Sequence, residues 1–285
     1  MIKCVIHLAD VHIRPYVRLG EYSEVLSTFI DQVKDAVSEY DKDEVRIVIS
    51  GDLFESKNTV SNELMTFSSF FLRQLEEIAQ VLVLAGNHDL VLDNTSRTDT
   101  LTALFDTANF DNCKFLDAML GYTSGCIKDG NIIWAVYSIY DSYIRPDIDE
   151  LKEEYPSCKI IGLYHGLVVG ATMDNGSIID GGTDSDAFNG CNCVMAGHIH
   201  KRQVLRRNGI DIVYPGSLIQ QRFGETVSSH GFAVWNIEDM TYKFVDVDTE
   251  YGLYNIEINS IDDIDKDKER LINFWLAFYF IIKWH

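Results

Sequence analysis

Five short apolar runs in this chain each end in residues able to bind a metal. Residues 4–9 lead into Asp10 and His12, and residues 45–49 lead into Gly51 and Asp52. Residues 81–85 lead into Gly86, Asn87, His88 and Asp89; residues 159–164 into His165; residues 193–196 into Gly197, His198 and His200. Taken singly, each has a plain structural reading. Gly51-Asp52 makes a turn, Asn87 suits a left-handed position, and His165 can be a hydrogen-bonded core histidine. Taken together they do not read that way, because five of the eight histidines fall within a few residues of such run ends. Imidazoles and carboxylates without thiolates suit manganese, iron or zinc, and a carboxylate shared between two ions suits a dinuclear centre.

Apolar and β-branched runs of this length, without alternation, predict strands buried on both faces. Ligands gather beyond the carboxyl ends of such strands in open α/β sheets. Between the first three runs, residues 21–40 and about 60–79 carry apolar side chains at helical spacing, among them Phe67, Phe70 and Phe71. These three aromatics fit the core better than an interface. Asp129-Gly130 between two apolar runs predicts a hairpin. Residues 166–186, rich in Gly, Asp, Asn, Ser and Thr, predict a long mobile loop. Four further runs, from residue 203 to about 247, predict antiparallel strands closing a second sheet. The expected fold class is α/β, a two-sheet β-sandwich flanked by helices in four layers, α/β/β/α.

A domain over residues 1–247 is expected, followed by a short appendage over 248–285 that reads as truncated. The apolar stretch 271–282 is twelve residues long, whereas a spanning helix needs roughly 20. It predicts a buried or partner-facing helix, and no membrane span is expected. The amino terminus reads as a strand opening rather than a signal peptide. The six cysteines are scattered, apart from Cys191 and Cys193, as for buried thiols in a reducing compartment.

In order, the blocks D-x-H (Asp10, His12), G-D (Asp52), G-N-H-D (Gly86 to Asp89), a lone His165 and G-H-x-H (Gly197 to His200) resemble the calcineurin-like metallophosphoesterase superfamily. The opening His7-Leu-Ala-Asp-Val-His12 and Gly51-Asp-Leu-Phe54 resemble the SbcD / meiotic-recombination (Mre-type) DNA-repair nucleases within it. So does Tyr214-Pro-Gly-Ser-Leu218 with Phe223, Glu225, Gly231 and Phe232. The likeness covers about residues 3–247 and fades in the tail.

That resemblance implies two divalent metal ions, with manganese expected. One would be held by Asp10, His12, Asp52 and His200. The other would be held by Asp52, Asn87, His165 and His198, and Asp52 is the bridge. His88 would stand over the phosphate and stabilise or protonate the leaving oxygen, oriented by Asp89 unless Asp89 is merely a loop anchor. His7 and His230 read as packing residues or supports. The implied activity is a DNA exonuclease and single-strand or hairpin endonuclease in repair, recombination or replication. It would work as a homodimer with an SMC-like ATPase of SbcC type, in the cytoplasm at the nucleoid or inside a virus-infected cell, and not secreted. Two alternatives stand beside it: a phosphodiesterase or phosphomonoesterase on a small substrate, and a non-catalytic metal-binding scaffold subunit.

DNA contact is expected from Lys201, Arg202, Arg206 and Arg207, directly after the last ligand, with Ser217 also on phosphate. The other reading of that cluster is an ordinary solvated strand face. The overall charge opposes a broad nucleic-acid surface, with 24 Lys+Arg against 44 Asp+Glu and a net of −20. Part of that acidity is concentrated: residues 238–269 hold 11 acids and 3 bases, so the active face can be locally positive.

Overall fold

The computed structural model describes residues 1–14, 18–57, 60–90, 97–141 and 144–253, and the backbone of two strands beyond them. Two six-stranded sheets face each other. The first runs β12 (Thr241–Asp246), β11 (Gly231–Asn236), β1 (Cys4–Leu8), β2 (Val45–Ser50), β3 (Gln80–Leu84), β4 (Cys113–Phe115). The second runs β5 (Gly125–Asp129), β6 (Ile132–Tyr137), β7 (Lys159–His165), β8 (Cys193–Gly197), β10 (Ile210–Tyr214), β9 (Gln203–Arg207). Strands β1 to β4 are mutually parallel, as are β6, β7, β8 and β10. The central strands are apolar on both faces because each sheet is covered on both faces.

Three apolar layers separate four structural layers. Between the sheets lie Val5, Val48 and Leu84 against Trp134, Leu163 and Met195. Outside the first sheet pack α1 (Leu19–Ala36), α2 (Asn62–Ile78) and α3 (Thr100–Ala108). The α1 side chains Tyr22, Leu26, Phe29 and Val33 recur every three or four residues and are buried, as an amphipathic helix requires. Ser61 caps α2 by accepting the Leu64 amide at 3.1 Å. Phe71 of α2 is buried, Phe67 is partly buried against the same core, and Phe70 faces out with 59% exposure. A single turn, α4 (Leu116–Met119), follows β4. Outside the second sheet pack α5 (Ile148–Glu154) and the stretch after β7.

Four expectations change. Strands β11 and β12 do not close the second sheet; they join the first beside β1, and β10 lies parallel to β8. Residues 166–186 are not a free loop. Their chain doubles back, with Gly170 donating to the Ile179 carbonyl and Ile179 to that of Ala171, both at 2.8 Å. The Gln203 side chain then binds Thr172 as a strand would, accepting its amide and donating to its carbonyl, each at 2.8 Å. Val168, Ala171, Ile179 and Phe188 seal this stretch onto the second sheet, which is why so polar a sequence is ordered. In the tail, Phe278–Trp284 is a strand (β14) rather than a helix, paired in parallel with β13 (Gly252–Ile258). The earlier part of that predicted helix, 271–277, lies outside the described residues. Among the described residues, no helix is long and apolar enough to cross a membrane. All six cysteines are free thiols, with Cys4, Cys113, Cys191 and Cys193 buried and Cys126 exposed.

Candidate metal centre

The carboxyl ends of β1, β2 and β3 meet those of β7 and β8 where the two sheets approach each other. His165, the last residue of β7, donates through Nδ1–H to the Ser50 carbonyl, 2.8 Å away at the end of β2. Tight packing needs glycine at this junction. A Cβ on Gly197 would lie 2.0 Å from the Ser50 carbonyl oxygen, and one on Gly51 would lie 2.1 Å from His165 Nδ1. The backbone is also bent away from the strand conformation. Asp10, His12, Asp52 and His198 all have positive φ, at 53, 50, 54 and 100°. Such conformations persist where surrounding structure enforces them, and they cluster at functional sites.

Two groups of side chains converge there. Asp10, His12 and His200 form one, and Asp52, His165 and His198 form the other. Asn87 joins the second group, its Oδ1 lying 2.7 Å from His198 Nδ1 and 3.2 Å from His165 Nε2. Asp52 faces both. Its Oδ2 is 3.6 Å from His12 Nε2 and 3.3 Å from His165 Nε2, while its Oδ1 accepts the His88 amide at 2.8 Å. All seven expected ligands therefore stand together, buried or half-buried, with one carboxylate oxygen between the two groups. This donor set fits two divalent cations: imidazole nitrogens and carboxylate oxygens, and one bridging oxygen.

The electrostatics point the same way. Burial raises Asp52, but the His165 charge and hydrogen bond, then His12, outweigh it and hold the carboxyl below its usual range. Asp10 is shifted upward because burial dominates there. Burial lowers His165, yet Asp52 more than reverses this and lifts it to about 9. His198 is pushed down to about 4 by burial and then by His165. Shifts in opposite directions around one small volume fit a functional site.

Two acids missing from the expected set complete it. Glu55 Oε2 lies 2.9 Å from His12 Nδ1, and its Oε1 lies 3.3 Å from Arg14. Glu225 Oε1 lies 2.8 Å from His200 Nδ1, and its Oε2 accepts the Gln221 amide at 2.8 Å. Burial would raise both acids, but the hydrogen bonds to His12 and His200 hold them below the usual range, so both are carboxylates. Glu225 accepts from His200 Nδ1–H and so turns its Nε2 toward the centre, while Glu55 stands within ion-pair distance of His12 Nδ1. A hint was present in the sequence, since Glu55 follows Asp52 by three residues and Glu225 belongs to the quoted F-x-E stretch.

His88 is half-buried with its ring edge-on to that of His12, centroids 4.7 Å apart. Its Nδ1 is 2.7 Å from the Glu55 carbonyl, which leaves Nε2 as the atom it can offer. Asp89 does not supply that orientation. Its carboxylate accepts the amides of Phe54 at 2.9 Å and Gly86 at 2.8 Å, which makes it the anchor of both ligand loops. Burial, then the Asp52 charge, pushes it upward. His7 is fully buried, and burial lowers it to about 3, so it is a neutral packing residue.

The basic stretch does not form one clamp. Arg202 turns inward: it pairs with Asp246, donates to the Pro215 carbonyl at 3.2 Å and lies over the Phe244 ring. Ser217 is buried, its hydroxyl 2.9 Å from His230 Nδ1 and its amide bound to the His200 carbonyl at 3.1 Å. Both are engaged within the protein. Arg206 is exposed and pairs with Asp211 at 3.2 Å, and Arg207 stands at the far end of β9, a strand's length from Lys201. Lys201, next to His200, is the member closest in sequence to the centre.

Residues 4–240 match the family model described as Calcineurin-like phosphoesterase superfamily domain. The uncharacterized protein R555 of Acanthamoeba polyphaga mimivirus is 32% identical over 268 residues, covering 90% of this chain. This chain spans only 19% of that relative's length. The uncharacterized metallophosphoesterase YhaO of Bacillus subtilis is 23% identical over 260 residues, covering 84% of this chain and 59% of its own length. Among solved structures, GAP50, titled the anchor in the inner membrane complex of Plasmodium, superposes with a TM-score of 0.51. That match covers 87% of this chain and 89% of the other at 11% identity, a likeness of fold.

Proposed function

Since the chain belongs to the calcineurin-like phosphoesterase superfamily, we propose that it is a metal-dependent DNA nuclease of the SbcD-like type. In this reading it hydrolyses phosphodiester bonds as exonuclease and as single-strand or hairpin endonuclease. Manganese is its metal, and it works as a homodimer with an SMC-like ATPase in repair, recombination or replication. The observation that carries the reading is the way the Y-P-G-S and F-x-E stretch serves the centre. Ser217 ties down the His200 backbone and Glu225 holds its ring. The segment that resembles the nuclease branch is thus built into the metal site rather than lying beside it.

Bound divalent cations would neutralise a phosphodiester and lower the pKa of water at the site. Asp10, His12, Asp52 and His200 would hold one cation; Asp52, Asn87, His165 and His198 would hold the other. The chain's own groups do the rest. The His88 amide fixes the Asp52 carboxylate, and the Glu55 carbonyl fixes the His88 ring. His88 Nε2, when protonated, can deliver its proton to the departing oxygen. Lys201, which follows His200 in the chain, would meet a neighbouring phosphate.

A phosphodiesterase acting on a small substrate is the second reading, favoured by the inward turn of Arg202 and the burial of Ser217. The test is incubation with manganese and end-labelled single- and double-stranded DNA, beside an aryl phosphodiester and an Asp52→Ala control. Cleavage of DNA by the native chain alone is expected. Hydrolysis of the aryl ester with intact DNA establishes the second reading, and cleavage that survives in the control removes support from both.

A further inference from the structure

The two halves of the centre are backed differently. On one side, His12 and His200 each turn Nδ1 to a carboxylate, Glu55 at 2.9 Å and Glu225 at 2.8 Å. On the other, His165 turns Nδ1 to a neutral backbone carbonyl, that of Ser50. His198 approaches the neutral Asn87 amide oxygen. Asp10 and Asp52 are ligands on the first side, whereas Asp52 alone is acidic on the second. The Nε2 atoms of His12 and His200 face each other at 3.0 Å.

We infer that Glu55 and Glu225 make the two cation sites unequal. The site at Asp10, His12, Asp52 and His200 binds more tightly and fills first, and the site at Asp52, Asn87, His165 and His198 is the weaker, exchangeable one. A carboxylate behind a ligand imidazole raises its basicity and fixes its tautomer, and loss of such a partner typically costs 10–100-fold in metal affinity. Arg14 offsets part of the Glu55 charge, at 3.3 Å from its other oxygen. The second oxygen of Glu225 accepts the Gln221 amide and, among the described residues, pairs with no Lys or Arg. Glu225 therefore contributes the larger share. Both acids are positioning residues, acting through the histidines.

The inference rests on the two-ion reading of the centre but not on the substrate. The experiment titrates the metal-stripped chain with manganese by calorimetry, with electron paramagnetic resonance at one equivalent. The native chain should show two transitions at least about tenfold apart, and an uncoupled single-ion spectrum at one equivalent. Glu225→Gln and Glu55→Gln, which keep a hydrogen-bond acceptor and remove the charge, should weaken only the tighter transition, by about 10–100-fold. His165→Ala should remove only the weaker one. Coincident transitions, loss of the tighter transition in His165→Ala, or glutamine variants that titrate like the native chain would each overturn the ranking. The native and His165→Ala titrations decide it even if a glutamine variant does not fold. A native chain that binds one ion sinks the two-ion reading. The ranking then falls with it, whereas two coincident transitions overturn the ranking alone.

Discussion

Gly86 sits between β3 and the ligand Asn87, and a single methyl group there should disable the centre. A Cβ at this position would lie 2.1 Å from Asp52 Oδ1 and 2.3 Å from the Asp52 amide nitrogen. Ordinary contact begins at 3.4 Å, so the carboxylate oxygen must retreat by about 1.3 Å. Rotating the side chain does not suffice, because the backbone nitrogen is almost as close. The retreat also strains the 2.8 Å hydrogen bond from the His88 amide. Metal–ligand distances tolerate only about 0.2 Å, several times less than this displacement. Gly86→Ala should therefore lose at least one of two bound cations and about 100-fold or more in turnover, with about 1–3 kcal/mol of stability lost to overpacking. Gly20→Ala is the control. It has nothing within 4 Å and lies in α1, so it should leave the centre intact and gain up to about 1 kcal/mol. The assay is metal content after dialysis against manganese, with turnover of an aryl phosphodiester and thermal unfolding of both variants. A Gly86→Ala chain with two cations and native turnover refutes the placement of Asp52 between the two groups.

His88→Ala should keep both cations, because its link to the ligand shell is the backbone amide to Asp52. It should lose about 100- to 10,000-fold in turnover. Metal content measured beside rate checks this, and near-native cleavage removes His88 from the chemistry. Asp117 gives a pH prediction away from the centre. Burial raises it from 3.8 to about 6, only partly offset by the Ser138 hydroxyl and the Ala85 amide that donate to it. From about pH 4 to 6 the folded chain keeps a proton that the unfolded chain releases. This group's contribution is thus full at low pH, falls by about 3 kcal/mol as pH rises through that window, and is flat above. Asp117→Asn should remove that fall without loss of stability at neutral pH; parallel unfolding curves for the two chains between pH 4 and 7 would contradict it.

The parts of this molecule that were legible in its sequence are those where chemistry or periodicity is local. Each ligand ends a buried strand or follows one within four residues, so Asp10, Asp52, Asn87, His165 and His198 could be read as a set before their distances were known. The α1 and α2 repeats and the Asp129-Gly130 turn were equally plain. What could not be read depends on partners distant in the chain. Glu225 meets His200 across 25 residues, and Arg202 finds Asp246 across 44, so neither pairing shows in the local sequence. The pairing of β11 with β1 joins residues more than 200 apart, which no local pattern announces. The segment after β7 looked mobile by composition, yet Gln203 and a few apolar residues hold it. Asp89 was seen beside His88, but its carboxylate reaches back to two amides rather than sideways to the ring.

Anomalous diffraction from crystals soaked in manganese tests the central claim most directly. Two peaks about 3.5–4 Å apart, one among Asp10, His12 and His200 and the other among Asn87, His165 and His198, with Asp52 Oδ2 between them, are predicted. A single peak, or two peaks that Asp52 does not join, would contradict the two-ion centre on which the proposed hydrolysis depends.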